Sequence, residues 1–235
     1  MNAYQLLHNM KSTALALLAL TAFTALSTAR AQFTFVESGG TFRPDATNIA
    51  AASNGATAIG QDELGYDIHF IGNINDSTYG NASSWIGFPD FGATSWVGVI
   101  FSEASTVASF AFGRDNNGVE LSRVDYAPYS IQYTTDVLTD QASADSATWT
   151  EIGTFNYSDI PAPVLGLRNL YNLDIELTDV TGFRIVTTGG ISNGNAIDEL
   201  EIYTTSASAV PEPATFAALF GVCALGVAAI RRRRR

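Results

Sequence analysis

The feature that most constrains this chain is a succession of short runs rich in β-branched and aromatic residues, each cut off by a turn cluster. The runs are FTFVESGG (33–40), SWVGVIF (95–101), ASFAFG (108–113), YSIQYTT (129–135), TWTEIGTF (148–155), FRIVTT (183–188) and AIDELEIYTT (196–205). Several alternate apolar with polar residues, the period of a sheet with one wet face. RDNNG (114–118), SADSA (143–147) and GGISNGN (189–195) read as turns between them. No long amphipathic helix is evident. Many short strands at this spacing predict an all-β sandwich or jelly roll. No repeat of about 20–50 residues and no internal linker is present, so one domain is expected.

The two ends do not belong to that pattern. Lys11 precedes an apolar run at 14–26, and Ala29-Arg30-Ala31 follows, the order of a secretory leader cut by signal peptidase before Gln32. The residues leave open whether translation starts at Met1 or Met10. The other end, VPEPATFAALFGVCALGVAAIRRRRR, holds 17 uncharged residues at 214–230. A helix there would be about 25 Å long, short against a hydrocarbon core of about 30 Å. The arginines at 231–235 would halt translocation and stay cytoplasmic. The order Pro211-Glu212-Pro213, short apolar helix, arginine cluster resembles the PEP-CTERM sorting signal of Gram-negative bacteria. That resemblance implies recognition by an exosortase, transient anchoring in the inner membrane and a place at the cell surface or outside it. The organisation expected is a signal peptide at 1–31, a sandwich at 32–205 and a sorting tail at 206–235, with the transmembrane helix at 214–230.

Between the proposed cuts, residues 32–210 hold five arginines, no lysine and 22 acidic residues, a formal charge of −17. Such a surface repels nucleic acid and anionic lipid and favours divalent cations. Cys223, the only cysteine, lies in the apolar tail. No disulfide can therefore form inside the exported body, and its core alone must hold it.

Seven pieces of the body come in a telling order: NIAAASNGATA (48–58), NINDSTYGNASSWIG (73–87), SWVGVIF, YSIQYTTD (129–136), TWTEIG (148–153), GFRIVTTG (182–189) and AIDELEIY (196–203). Together they resemble the discoidin, or coagulation-factor type C, family of the galactose-binding-like fold, over roughly 48–203. The family usually has glycine after the aspartate of the second piece; this chain has Ser77 after Asp76. The resemblance implies a jelly-roll β-sandwich that binds a glycan. It also implies a structural Ca²⁺ held by Asp76 and Glu199, with carbonyls near Asn73, Thr78 and Ala196. On the residues alone Asp76 can equally cap its own turn, and Glu199 can pair with an arginine or face solvent.

Trp85, Trp96, Tyr129 and Trp149 fall on motif positions and read as core anchors, Trp85 least firmly because it follows a loop. Aromatics off the motif, Tyr66, Tyr79, Phe88, Phe91, Tyr126, Tyr157 and Tyr171, are the candidates for stacking on a sugar ring. With the polar residues of FGRDNNG (112–118), the ligand-binding set expected is Tyr79, Phe91, Arg114, Asp115 and Tyr126. The body has one histidine, His69, read as a strand or turn residue, and no cysteine. It shows no Gly-x-Ser-x-Gly motif and no phosphate-binding glycine loop. The function expected is glycan binding, of exopolysaccharide in particular, without catalysis. A structural or adhesion role toward other proteins and a cryptic glycoside hydrolase are the alternatives.

Overall fold

The computed structural model describes residues 33–39, 42–61, 68–79, 83–87, 94–113, 129–155, 168–188 and 195–208. All of them lie in the second of the chain's two units, Gln32–Arg235. The expected leader, the span at 214–230 and the arginine cluster lie outside these residues. Among the described residues no helix is long and apolar enough to cross a membrane.

Among the described residues nine strands carry the fold: β1 (Phe33–Ser38), β2 (Thr57–Gly60), β3 (Trp85–Ile86), β4 (Thr94–Gly113), β5 (Tyr129–Thr134), β6 (Thr150–Phe155), β7 (Asn169–Thr188), β8 (Ala196–Ile197) and β9 (Glu199–Tyr203). The runs expected at 95–101 and 108–113 are the two halves of one 20-residue strand, β4. The run at 183–188 is the end of a second such strand, β7. The strands β2 and β3 and the first half of β7 were not legible in the sequence.

β4 and β7 pair antiparallel with each other, and their register shifts between Ile100 and Ser109. On the β7 side Asp179 takes a left-handed φ of 58°. Bulges of this kind bend a strand and sharpen its twist. Each long strand thus serves two sheets. Before the bend β4 pairs with β2, and after it with β9. The first half of β7 pairs with β1 and the second half with β5, which pairs in turn with β6. The result is one sheet in the order β2-β4-β7-β5-β6 and another in the order β9-β4-β7-β1, continuous through the bend.

Ring contacts show that these halves face each other. Phe110 lies 5.4 Å from Phe183 and Phe112 lies 5.6 Å from Tyr129, centroid to centroid, so late β4 touches the other sheet's β7 and β5. Phe33, Tyr171 and Ile131 complete this layer. Fully burying each large apolar side chain contributes about 1.5–3 kcal/mol, so this aromatic layer is the main apolar term holding the sandwich closed. Few helices interrupt the strands, and the all-β sandwich expected is the architecture present.

Trp85 is fully buried, its indole donating to the Gln61 carbonyl at 3.2 Å, so it is core as firmly as Trp96. Tyr171, expected as a sugar contact, is also core, because it belongs to the inward-facing side of β7. Trp149 is only half-buried, on the outer face of the first sheet. The turn expected at 143–147 is mostly helix: α1 (Gln141–Ser146) starts on a reciprocal cap between Asp140 and Ser143. This Asp-x-x-Ser cap satisfies two of the backbone N–H groups that a helix start leaves bare.

Candidate ligand and cation site

The loop between β2 and β3 carries the exposed chemistry. A 3-10 turn, Ile71–Asn75, opens after Phe70 and closes on Asp76. Asn75 is buried and donates to the carbonyls of Ala50 and Ala56, which nails the end of the turn to the body. At its start Asn73 donates to the Ile68 carbonyl at 2.8 Å, and His69 Nδ1 lies 2.8 Å from the Ser84 carbonyl. That bracing leaves Ile68 50 % and Phe70 49 % exposed. Around Gly72 the surface is open. An apolar pair on a braced turn is a surface ready to be covered.

At the other end of the turn sits a buried carboxylate. Glu199, the first residue of β9, is fully buried. Its Oε2 accepts from the Ser77 amide at 3.0 Å and the Thr78 amide at 3.4 Å. Among the described residues its Oε1 meets no hydrogen-bond donor. Burial, then the charges of Asp76 and Glu201, push the Glu199 carboxyl up to about 10. Asp76 Oδ1 accepts from the Thr78 amide at 2.8 Å, so Asp76 does cap its own turn. Ser77 reaches this geometry with a left-handed φ of 66°. The loop thus keeps a conformation that glycine adopts most readily.

A bare carboxylate oxygen in the core is costly unless a cation or a proton meets it. Asp76, Ser77, Thr78 and Glu199 are brought together; Asn73 stands in the preceding turn and Ala196 in β8, one bend before β9. Among the described residues no three His, Cys, Asp or Glu side chains converge. An ion here would therefore rest on two carboxylates and on backbone oxygens. Such an all-oxygen set fits Ca²⁺ and suits neither zinc nor copper.

Tyr79, expected as a sugar-stacking ring, donates its hydroxyl to Glu201 Oε1 at 2.7 Å and packs its ring 5.4 Å from Phe42. Glu201 also accepts from Arg168 Nε at 2.6 Å, from Arg168 Nη2 at 2.9 Å and from the Tyr203 hydroxyl. Burial alone would lower the Arg168 pKa, yet the Glu201 carboxylate holds it above its ordinary value. Burial and the same carboxylate push the Tyr79 hydroxyl well above its ordinary value. This network on the outer face of β9 and β7 had no signal in the sequence, since Arg168 and Glu201 are 33 residues apart. Phe91, Arg114, Asp115 and Tyr126 lie outside the described residues. Ile68 and Phe70 went unnoticed because YDIHF (66–70) reads equally as strand or turn, and only the fold shows that Ile68 and Phe70 face out.

Residues 209–235 match the PEP-CTERM protein-sorting motif, with Pro211, Glu212 and Pro213 inside the matched segment. A motif of this kind implies handling by an exosortase, with export and sorting to the Gram-negative cell envelope. No curated protein matches the chain in sequence. Among solved structures, the family 32 CBM of C. perfringens NanJ, in complex with galactose, is similar at 15 % identity. It aligns with a TM-score of 0.49, over 67 % of this chain and 98 % of that one. Chitosan-binding module 1 of the Paenibacillus sp. IK-5 chitosanase/glucanase is similar at 19 % identity and a TM-score of 0.47, over 67 % and 98 %. A Ruminococcus gnavus GH29 fucosidase in complex with fucose is similar at 15 % identity and a TM-score of 0.49, over 68 % of this chain. This chain spans 27 % of that enzyme's length.

Proposed function

We propose that the body is a non-catalytic carbohydrate-binding module, carried to the cell envelope by its sorting tail, that holds extracellular polysaccharide at the loop of Ile68 and Phe70. The observation that carries this reading is the half-exposed Phe70 ring on a turn braced at both ends. A sugar presents apolar C–H faces that cover such a ring, and its hydroxyls find polar partners nearby. In the same reading Asp76 and Glu199, with backbone oxygens near Asn73, Thr78 and Ala196, hold a structural Ca²⁺. The ion supplies the positive charge that the bare Glu199 oxygen calls for. These residues then fasten the loop to β9, so the turn bearing Phe70 meets its ligand already ordered, which lowers the cost of binding.

The test is retention of the full chain, in detergent, on immobilised polysaccharides with Ca²⁺ or with chelator. Retention by at least one polymer, weakened about tenfold by Phe70→Ala (about 1.4 kcal/mol), is the expected result. No retention on any polymer, or retention that Phe70→Ala leaves unchanged, overturns the reading.

A further inference from the structure

A second feature lies on the outer face of the first sheet, away from the loop. Strand register lines up Ile59, Gly98, Arg184, Gln132 and Glu151 in one row across β2, β4, β7, β5 and β6. The Arg184 guanidinium carbon lies 4.3 Å from the Trp149 ring centroid and 5.0 Å from that of Trp96. Its Nε donates to Gln132 Oε1 at 2.8 Å. Gln132 Nε2 donates to Ser130 Oγ at 3.0 Å, and Ser130 Oγ donates to Glu151 Oε2 at 2.6 Å. Ala144 of α1 and Leu138 pack with Ile59, Trp96 and Ile100 in an apolar patch that Trp149 also joins.

Among the described residues Arg184 forms no ion pair, and the acid that bears on it is Asp145 of α1, acting only through its charge. Among the described residues Arg43 is paired with Asp45, and Arg168 with Glu201 and Glu37. Among the described residues no carboxylate lies within ion-pair distance of Arg184, although acids outnumber bases by 17 in the body. The two rings hold its plane and partly desolvate it, and burial pushes its pKa down to about 10 against the opposing pull of the Asp145 charge. A guanidinium fixed in this way, with its terminal fork uncommitted, suits a planar carboxylate.

We infer that this row is a second carbohydrate site, which takes the carboxylate of an acidic sugar at Arg184 and its hydroxyls along Gln132, Ser130 and Glu151. Neighbouring strands lie about 4.8 Å apart, so the lane from Arg184 to Glu151 crosses about 10 Å. That is room for one sugar and part of the next. Glu151 is exposed and repels a second acid group at the far end. The site therefore favours a polymer in which an acidic unit is followed by a neutral one. Strand register builds this site and the loop turn builds the other, so the two readings can fail separately.

The experiment follows tryptophan fluorescence of the full chain, in detergent, titrated with glucuronate, its methyl ester, glucose and acetate. Trp96 and Trp149 flank Arg184 and report its occupancy. Glucuronate should quench saturably and the ester and glucose should not. Arg184→Gln should weaken glucuronate at least tenfold, Arg184→Lys less, and Phe70→Ala not at all. Glu151→Gln, at an exposed position that spares the core, should strengthen binding of a digalacturonate relative to the parent chain. Equal quenching by the ester or glucose overturns the proposal, as does full binding by a folded Arg184→Gln chain. An unchanged digalacturonate affinity in Glu151→Gln overturns it too. Acetate quenching as strongly as glucuronate at the same concentration also overturns it, in favour of an acidic peptide.

Discussion

At the scale of single residues, Glu199 is the most consequential side chain. Its carboxyl titrates near 10 in the fold, against 4.5 for an ordinary glutamate, so the folded state holds a proton that the unfolded chain gives up. The unfolded state therefore binds fewer protons between those values, and stability falls as pH rises through that window. In calcium-free buffer the loss between pH 4.5 and 7 is bounded at about 3 kcal/mol. Thermal melts across pH 5–9 should show the melting temperature falling with pH and Ca²⁺ restoring it, most at the alkaline end. Glu199→Gln should abolish both the slope and the response to Ca²⁺. A melting temperature flat in pH for the parent chain would count against the buried carboxylate. Ser77 offers a second check: with φ at 66°, Ser77→Gly should leave stability unchanged or raise it by up to about 1 kcal/mol. Urea unfolding midpoints measure this. The sequence pointed to Asp76 and Glu199 through the motif order that surrounds them. It did not show that one Glu199 oxygen is spoken for by two amides while the other is bare, because that depends on how a loop and a strand 122 residues apart meet.

At the scale of elements, the pairing of β4 with β7 decides the shape of the body. Gly98 and Arg184 are cross-strand partners there. A Cβ on Gly98 would collide with the Phe183 carbonyl and come within 2.6 Å of the Arg184 Cβ. Backbone cannot step aside cheaply inside a sheet, so Gly98→Ala should cost about 1–3 kcal/mol, seen as a lower urea midpoint. Arg168→Met tests the neighbouring network. It leaves Glu201 buried beside Tyr79 and Tyr203 without its cation, and should cost about 3–5 kcal/mol. The double change Arg168→Met with Glu201→Leu should recover part of that loss. Individual strands were legible from their alternation, as at Tyr129–Thr134. The merging of 95–101 and 108–113 into one strand was not. Residues 102–106 (SEAST) read as a polar break, and only pairing with β7 keeps them extended.

At the scale of the whole molecule, both sheets share β4 and β7, so neither can come apart while the other stays intact. Unfolding of the body should be a single transition, with tryptophan fluorescence and far-ultraviolet circular dichroism giving coincident urea curves. Two separated transitions would show that the bend uncouples the sheets. The sequence by itself determined what is written in local pattern. That includes an all-strand body without a disulfide, its strong negative charge, a leader-like start and a sorting tail whose parts are adjacent in the chain. Hydrophobic period, charge count and motif order need no folding to be read. The tertiary structure alone decided which side chains turn outward, how Arg168 finds Glu201, and that Arg184 lies between two tryptophans without an ion pair among the described residues. Each of these depends on register between strands far apart in the chain, where a slip of one residue moves every side chain to the opposite face.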